Sequence, residues 1–145
     1  MISKIPDITE NLNYRVKFLC KFEKKSIVSG KPMITIYHNP KCRKSRAGLQ
    51  YLQEKGIEHT VVEYLKTPFT REKFKELLMK LNMRPFEIVR TQEDEFKEKL
   101  KGKNFTDEEW ITIILENPKL IQRPIVVQNH KAVLGQPVEE IERLL

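Results

Sequence analysis

The stretch from Ile34 to Tyr64 constrains the fold of this chain more than any other. Ile34 and Ile36 alternate with Thr35 and Tyr37 at period two, in β-branched and aromatic company, which reads as a strand. Asn39-Pro40 stops that strand, because proline has no N–H to give to a ladder. The period then lengthens. Ser45, Leu49 and Leu52 fall on one helical face, and the spacing predicts a helix from near Cys42 to Lys55 with Gly56 as its stop. Glu58 to Tyr64, with Val61 and Val62 adjacent, reads as a second strand. Strand, helix and strand at this spacing form a right-handed βαβ unit with parallel strands, which commits the chain to the α/β class.

Cys42 therefore falls at a strand-to-helix turn, close to a helix N-terminus. Unpaired backbone N–H groups and the positive end of the helix dipole favour a thiolate or a bound oxyanion there. Lys41, Arg43, Lys44 and Arg46 add positive charge within four positions. Each effect lowers the thiol pKa, and the thiolate is the nucleophile. The alternative is a small buried cysteine whose basic neighbours face water. Four basic residues so close together are hard to bury, which favours the reactive reading. Asn39 can hold the turn through its side-chain amide, and Ser45 either donates to the Cys42 sulfur or satisfies the first helical turn.

The chain has 145 residues, enough for one domain, or one domain plus a tail. No apolar run approaches the length of a membrane span. The net charge of +7 is uneven: residues 1–32 carry seven Lys/Arg against three Asp/Glu, and the remainder carries 20 against 17. The basic excess thus comes largely from the tail and is weak ground for a nucleic-acid partner. Cys20 and Cys42 do not form a Cys-x-x-Cys pair, since Ser45 stands where the second cysteine would be. Two such residues support neither a metal site nor a disulfide framework, and a lone nucleophile fits a reducing cytoplasm.

Residues 1–32 differ from the rest. The segment from Val16 to Phe22 has some apolar alternation, but lysines interrupt it, and it lacks the apolar core of a signal peptide. Ser29-Gly-Lys-Pro32 has a linker composition, so residues 1–32 are expected to be a poorly ordered, dispensable extension and residues 33–145 the functional domain. A role for Cys20 as a resolving thiol is the sharper alternative.

Downstream of Thr67-Pro68, Thr70 suits the N-cap of a helix whose Phe74, Leu77, Leu78 and Leu81 follow i, i+3, i+4, i+7. Pro85 breaks it, and Phe86 to Arg90 reads as a short helical turn. Glu93 to Leu100 is a polar helix with Phe96 and Leu100 inward. Thr106-Asp-Glu-Glu109 is a capping box ahead of Trp110, Ile113 and Ile114, and Asn117-Pro118 ends that helix. These helices form an insertion between two halves of a sheet. Ile125–Gln128 and Lys131–Leu134 are strands around a two-residue loop, Asn129-His130. Pro137 suits the first turn of a final helix carrying Val138, Ile141 and Leu144. His59 and His130 read as strand and turn residues rather than ligands.

The run His38-Asn39-Pro40-Lys41-Cys42-Arg43-Lys44-Ser45-Arg46 resembles the active-site loop of the glutaredoxin-coupled, thioredoxin-fold arsenate reductases, whose family also includes the Spx regulators. The likeness continues through Tyr64-Leu-Lys-Thr-Pro68, Ile88-Val89-Arg90 and Arg123-Pro124-Ile125-Val126-Val127, from about residue 33 to the C-terminus. It implies a thioredoxin-like fold, a four-stranded mixed sheet with an α-helical insertion.

The resemblance also implies an assignment of the site. Arg90 and Arg123 match two of three substrate arginines, and the planar fork of arginine suits a tetrahedral oxyanion. Pro124 matches the cis-proline that faces the cysteine, and His38 a residue that supports the thiolate through the loop. Gln136, before Pro137, stands where the third arginine is expected. Losing one charge-assisted contact costs about 1.5–3 kcal/mol, or roughly one to two decades in rate or binding, which Arg43, Lys44 or Arg46 would partly offset. The implied reaction is reduction of arsenate or a similar oxyanion, with Cys42 as nucleophile, glutathione as co-substrate, no bound cofactor, and glutaredoxin as the partner that regenerates the thiol. The rivals are an Spx-like, non-enzymatic regulator that binds RNA polymerase, and a glutathione-dependent reductase of another substrate. On their own, Arg90 reads as a surface residue ending a helical turn and Arg123-Pro124 as a loop before a strand.

Overall fold

The computed structural model describes residues 33–145, so the expectations for residues 1–32 and for Cys20 lie outside the described residues. Strand β1, Ile34–His38, has the bounds its alternation predicts. Helix α1, Arg43–Glu54, starts one residue after Cys42. It stops as Gly56 enters the left-handed region at φ 66°, with Gly56 N–H donating to Gln53 O and Ile57 N–H to Leu52 O, each at 3.0 Å. That pair of bonds is the helix-ending motif that glycine allows without a Cβ penalty. Strand β2, His59–Glu63, then pairs parallel with β1 in the register Ile34 to His59. His59 is half-buried at the start of β2, and its Nδ1 lies 2.6 Å from the Ile57 carbonyl.

The insertion comes next. Helix α2, Arg71–Leu81, is capped by Thr70, whose side chain accepts from Lys73 N–H. A 3-10 turn spans Pro85–Ile88. Helix α3, Asp94–Lys99, is shorter than the polar pattern suggests and buries none of its own residues; Phe96 and Leu100 are only half-buried. Helix α4, Asp107–Glu116, carries both halves of the expected capping box, and Trp110 at its start is buried among Phe86, Phe96 and Phe105. Strands β3, Ile125–Gln128, and β4, Lys131–Leu134, close the sheet, with Asn129 taking φ 54° in the loop between them. The expected final helix is a 3-10 helix, Val138–Leu144. Its buried residues, Ile141 and Leu144, are three apart, the repeat of a 3-10 turn.

The sheet order is β2-β1-β3-β4, with β1 parallel to β2 and antiparallel to β3. Both faces are covered. Ile34, Ile36 and Val126 pack with Leu52, Ile141 and Leu144, whereas Ile125 and Val127 pack with Tyr64, Phe74, Leu77, Ile88 and Ile114 of the insertion side. This explains why the apolar residues of β3 are continuous rather than alternating. Among the described residues no helix is long and apolar enough to cross a membrane.

Two departures from regular strand pairing bring distant segments together near Cys42. An isolated antiparallel bridge joins Val89 to Ile121, through Arg90 N–H to Leu120 O at 2.7 Å and Gln122 N–H to Ile88 O at 2.9 Å. It brings the residue after Val89 beside the chain that leads into β3. The Arg123–Pro124 peptide is cis, as the resemblance implies, and so is Gln136–Pro137, for which the sequence carried no expectation. Gly135 N–H donates to Pro124 O at 2.8 Å, which draws Gln136 towards Arg123.

Candidate active site

Cys42 is the N-cap of α1, with extended backbone at φ −94° and ψ 122°. The loop before it is tied by its own side chains. Asn39 N–H donates to Ser45 Oγ at 2.9 Å, Lys41 N–H to Asn39 Oδ1 at 3.0 Å, and Cys42 N–H to Asn39 O at 3.0 Å. Ser45 Oγ also lies 3.0 Å from His38 Nδ1, and His38, Asn39 and Ser45 are all buried. The Ser45 hydroxyl is thus engaged with the loop and the histidine. It is the Ser45 main-chain N–H that acts on the Cys42 sulfur. Arg46 donates to the Pro40 carbonyl at 3.1 Å and so closes the same loop from outside.

Burial pushes the Cys42 thiol up, but the Ser45 N–H, the Arg123 guanidinium and the Lys44 N–H together bring it below its ordinary value. Cys42 is half-buried, which leaves the sulfur accessible to a reactant. Beside it lies a cleft of 140 Å³ lined by Cys42, Lys44, Arg90, Arg123 and Gln136, among others. A tetrahedral oxyanion displaces about as much space as a few waters of roughly 30 Å³ each, so the cleft has room for one.

The two arginines reach it by different routes. Arg90 follows the Val89–Ile121 bridge and is paired with the Glu93 carboxylate. Arg123 precedes Pro124, and its Nη1 donates to Lys119 O at 2.9 Å and to Ile121 O at 3.5 Å. Burial works against the Arg123 charge, but Cys42 and Tyr64 hold it up. The Pro124 ring sits between two glycines: a Cβ on Gly48 would lie 2.6 Å from its Cγ, and one on Gly135 2.9 Å. These absent side chains let α1 and the residue after β4 close on the proline ring that follows Arg123.

Of the residues singled out from the sequence, Cys42, Arg90, Arg123 and Gln136 come together at the cleft, and His38, Asn39, Ser45 and Arg46 build the loop behind it. Pro124, next in the chain after Arg123, packs against Gly48 and Gly135. Arg43 is exposed and does not line the cleft; Lys44 does. Sequence reasoning missed two residues. Glu93, three positions after Arg90, becomes visible as its pair only once Arg90 is placed. Tyr64, which the sequence marks as the end of a strand and the start of a run shared with the family but gives no role, is 1% exposed, and its hydroxyl has no hydrogen-bond partner. No group of three or more His, Cys, Asp or Glu side chains that could hold a metal ion occurs among the described residues.

The chain is similar to known proteins. The ArsC family model matches residues 37–144. The chain is 44% identical over 110 residues to the uncharacterized protein YfgD of Escherichia coli K12, covering 74% of this chain and 92% of that one. It is 40% identical over 116 residues to an arsenate reductase of Neisseria meningitidis, covering 79% and 99% respectively. Among solved structures, an arsenate reductase from Vibrio cholerae superposes with a TM-score of 0.75 at 37% identity, over 80% of this chain and 100% of that chain. The four-stranded sheet with its helical insertion is accordingly a thioredoxin-like fold.

Proposed function

The chain belongs to the ArsC family of thiol oxidoreductases, and from that premise we propose that it reduces arsenate, or a closely similar oxyanion, with Cys42 as the nucleophile. The observation that carries this reading is the convergence of Arg90 and Arg123 on the cleft that holds a half-buried Cys42 whose thiol is lowered. Arg123 and Arg90 hold the oxyanion by charge-assisted hydrogen bonds. The Cys42 thiolate attacks arsenic(V) and displaces a hydroxyl, which leaves as water after protonation. A glutathione thiolate then attacks the Cys42 sulfur. The S–S bond forms as the S–As bond breaks, and the electron pair stays on arsenic, giving arsenite. Glutaredoxin reduces the Cys42–glutathione disulfide and restores the thiol.

In this scheme the loop residues hold the sulfur rather than react. Asn39, Ser45 and His38 fix the turn, so the α1 N–H groups meet the thiolate without reorganisation. Gln136 contributes a neutral donor at the cleft where a charged one is expected. A resolving thiol from solution and a reducing compartment, the cytoplasm, suit a site whose loop offers one cysteine.

The test is arsenate-dependent NADPH oxidation in the presence of glutathione, glutathione reductase and glutaredoxin. Turnover is expected, and its loss in Cys42→Ser. Equal turnover in Cys42→Ser, or none in the unsubstituted protein, overturns the proposal.

A further inference from the structure

The first turn of α1 carries the wrong charge for a helix start. Arg43, Lys44 and Arg46 stand there, and no acidic residue does. The positive end of a helix dipole disfavours cations and favours anions. The other α-helices follow that rule: α2 opens with Glu72, α3 with Asp94 and Glu95, and α4 with Asp107, Glu108 and Glu109. The cations of α1 weaken their own helix, so the place of each decides what it does instead.

Four basic side chains flank Cys42 in the sequence, and the structure separates them. Arg46 donates to the Pro40 carbonyl at 3.1 Å. Lys41 and Arg43 are exposed and do not line the 140 Å³ cleft beside Cys42. Lys44 is exposed too, but it lines the cleft with Arg90, Arg123 and Gln136. It is the second residue of α1, and Cα–Cβ bonds tilt towards a helix N-terminus, so its stem leans back over the end that carries Cys42. Arg46 shows the same lean, since the carbonyl it reaches precedes Cys42.

The other cations of the cleft are engaged. Arg90 is paired with the Glu93 carboxylate. Arg123 holds the carbonyls of Lys119 and Ile121 through Nη1. Lys44 has no carboxylate partner among the described residues. An arriving oxyanion thus meets one cation whose charge no side chain offsets. An ammonium on a flexible stem suits that task, because it acts as a point charge with rotatable donors.

We propose that Lys44 is a substrate-binding residue of this cleft: its ammonium holds the oxyanion together with Arg90 and Arg123, as the third cation of the site. It makes and breaks no covalent bond. The proposal rests on the cleft being an oxyanion site, as proposed above, but not on arsenate being the oxyanion that is reduced.

The test reads anion binding without turnover. The full chain is alkylated with iodoacetamide, the Cys42 peptide is quantified by mass spectrometry, and the rate is followed against added phosphate, sulfate or arsenate with no other thiol present. The anion concentration that halves the rate is compared for the unsubstituted protein, Lys44→Met, Lys44→Arg and Lys41→Met, with the melting temperature of each. Lys44→Met is expected to raise that concentration roughly fivefold, the upper range for one exposed ion pair. Lys44→Arg keeps the charge, and Lys41→Met removes the same charge outside the cleft, so both should stay within about twofold. The melting temperature of Lys44→Met should not fall, because a cation leaves the positive end of a helix. In the coupled assay Lys44→Met should raise KM for arsenate and leave KM for glutathione unchanged. Unweakened protection in Lys44→Met overturns the proposal. Equal weakening in Lys41→Met, which marks a diffuse field, or in Lys44→Arg also overturns it, as does a lowered melting temperature or a raised KM for glutathione in Lys44→Met. Protection that depends on Lys44 in a protein that does not turn over arsenate upholds Lys44 and overturns arsenate as substrate. No protection by any of the three anions in the unsubstituted protein overturns the oxyanion site and this proposal with it.

Discussion

Gly48→Ala sets two effects against each other. Gly48 sits in the middle of α1, where alanine is favoured over glycine by about 1 kcal/mol on helix propensity alone. The structure argues the opposite. The new Cβ would lie 2.6 Å from Pro124 Cγ, about 0.8 Å inside the 3.4 Å at which ordinary contact begins. The ring has little room to retreat, since Ile125 after it is fully buried and Gly135, just past β4, closes on the same Cγ. Overpacking of this kind costs about 1–3 kcal/mol, so the steric term wins and leaves a net loss of about 1 kcal/mol. For a unit of this size that is a fall of roughly 4–8 °C in melting temperature. Arg123 is bonded to the displaced ring, so the strain reaches the cleft. Misplacement by 1 Å costs up to about a hundredfold, and a part of that, about tenfold in kcat/KM, is expected here. Thermal melts by circular dichroism and the coupled reductase assay read the two effects. A raised melting temperature with unchanged kcat/KM would refute the reasoning, because propensity would then have decided the outcome.

Other predictions are independent of that one. Alkylation of Cys42 rises with pH as the thiolate forms, and because the thiol is lowered in the folded protein, the midpoint lies below that of an ordinary cysteine and moves upward in urea. A folded midpoint at or above the one in urea contradicts the site's electrostatics. Glu93→Gln removes the carboxylate paired with Arg90, so the oxyanion no longer competes with it, and KM for arsenate should fall several-fold in steady-state assays. Gln136→Arg places a cation at the cleft and should raise kcat/KM by about one to two decades.

The elements defined by periodicity are legible in the sequence. β1 has the bounds its alternation predicts, and the caps at Thr70 and Thr106 stand where their side chains point. The buried face of α1 is less so. Apolar spacing marks Ser45, Leu49 and Leu52, whereas the buried residues are Ser45, Gly48 and Leu52, because glycine has no hydrophobic signal and its reason for burial is the Pro124 ring. The last helix is a 3-10 helix because Ile141 and Leu144 at i, i+3 satisfy either geometry, and only packing chooses. At the site, Cys42 and its loop are visible locally. Arg90 is not placed by any local pattern, since one isolated bridge between distant segments carries it to the cleft. Arg46 has the charge of a substrate cation but bonds the Pro40 carbonyl.

The central claim is that Cys42 attacks the oxyanion and is released by a thiol from solution. Mass mapping after anaerobic incubation with reduced glutathione and arsenate, without glutaredoxin, tests it directly. The account predicts one glutathione per chain, on the Cys42 peptide, appearing only when arsenate is present and disappearing when glutaredoxin is added. Glutathione on Cys20 instead, or on Cys42 at the same rate without arsenate, or on neither, would contradict it.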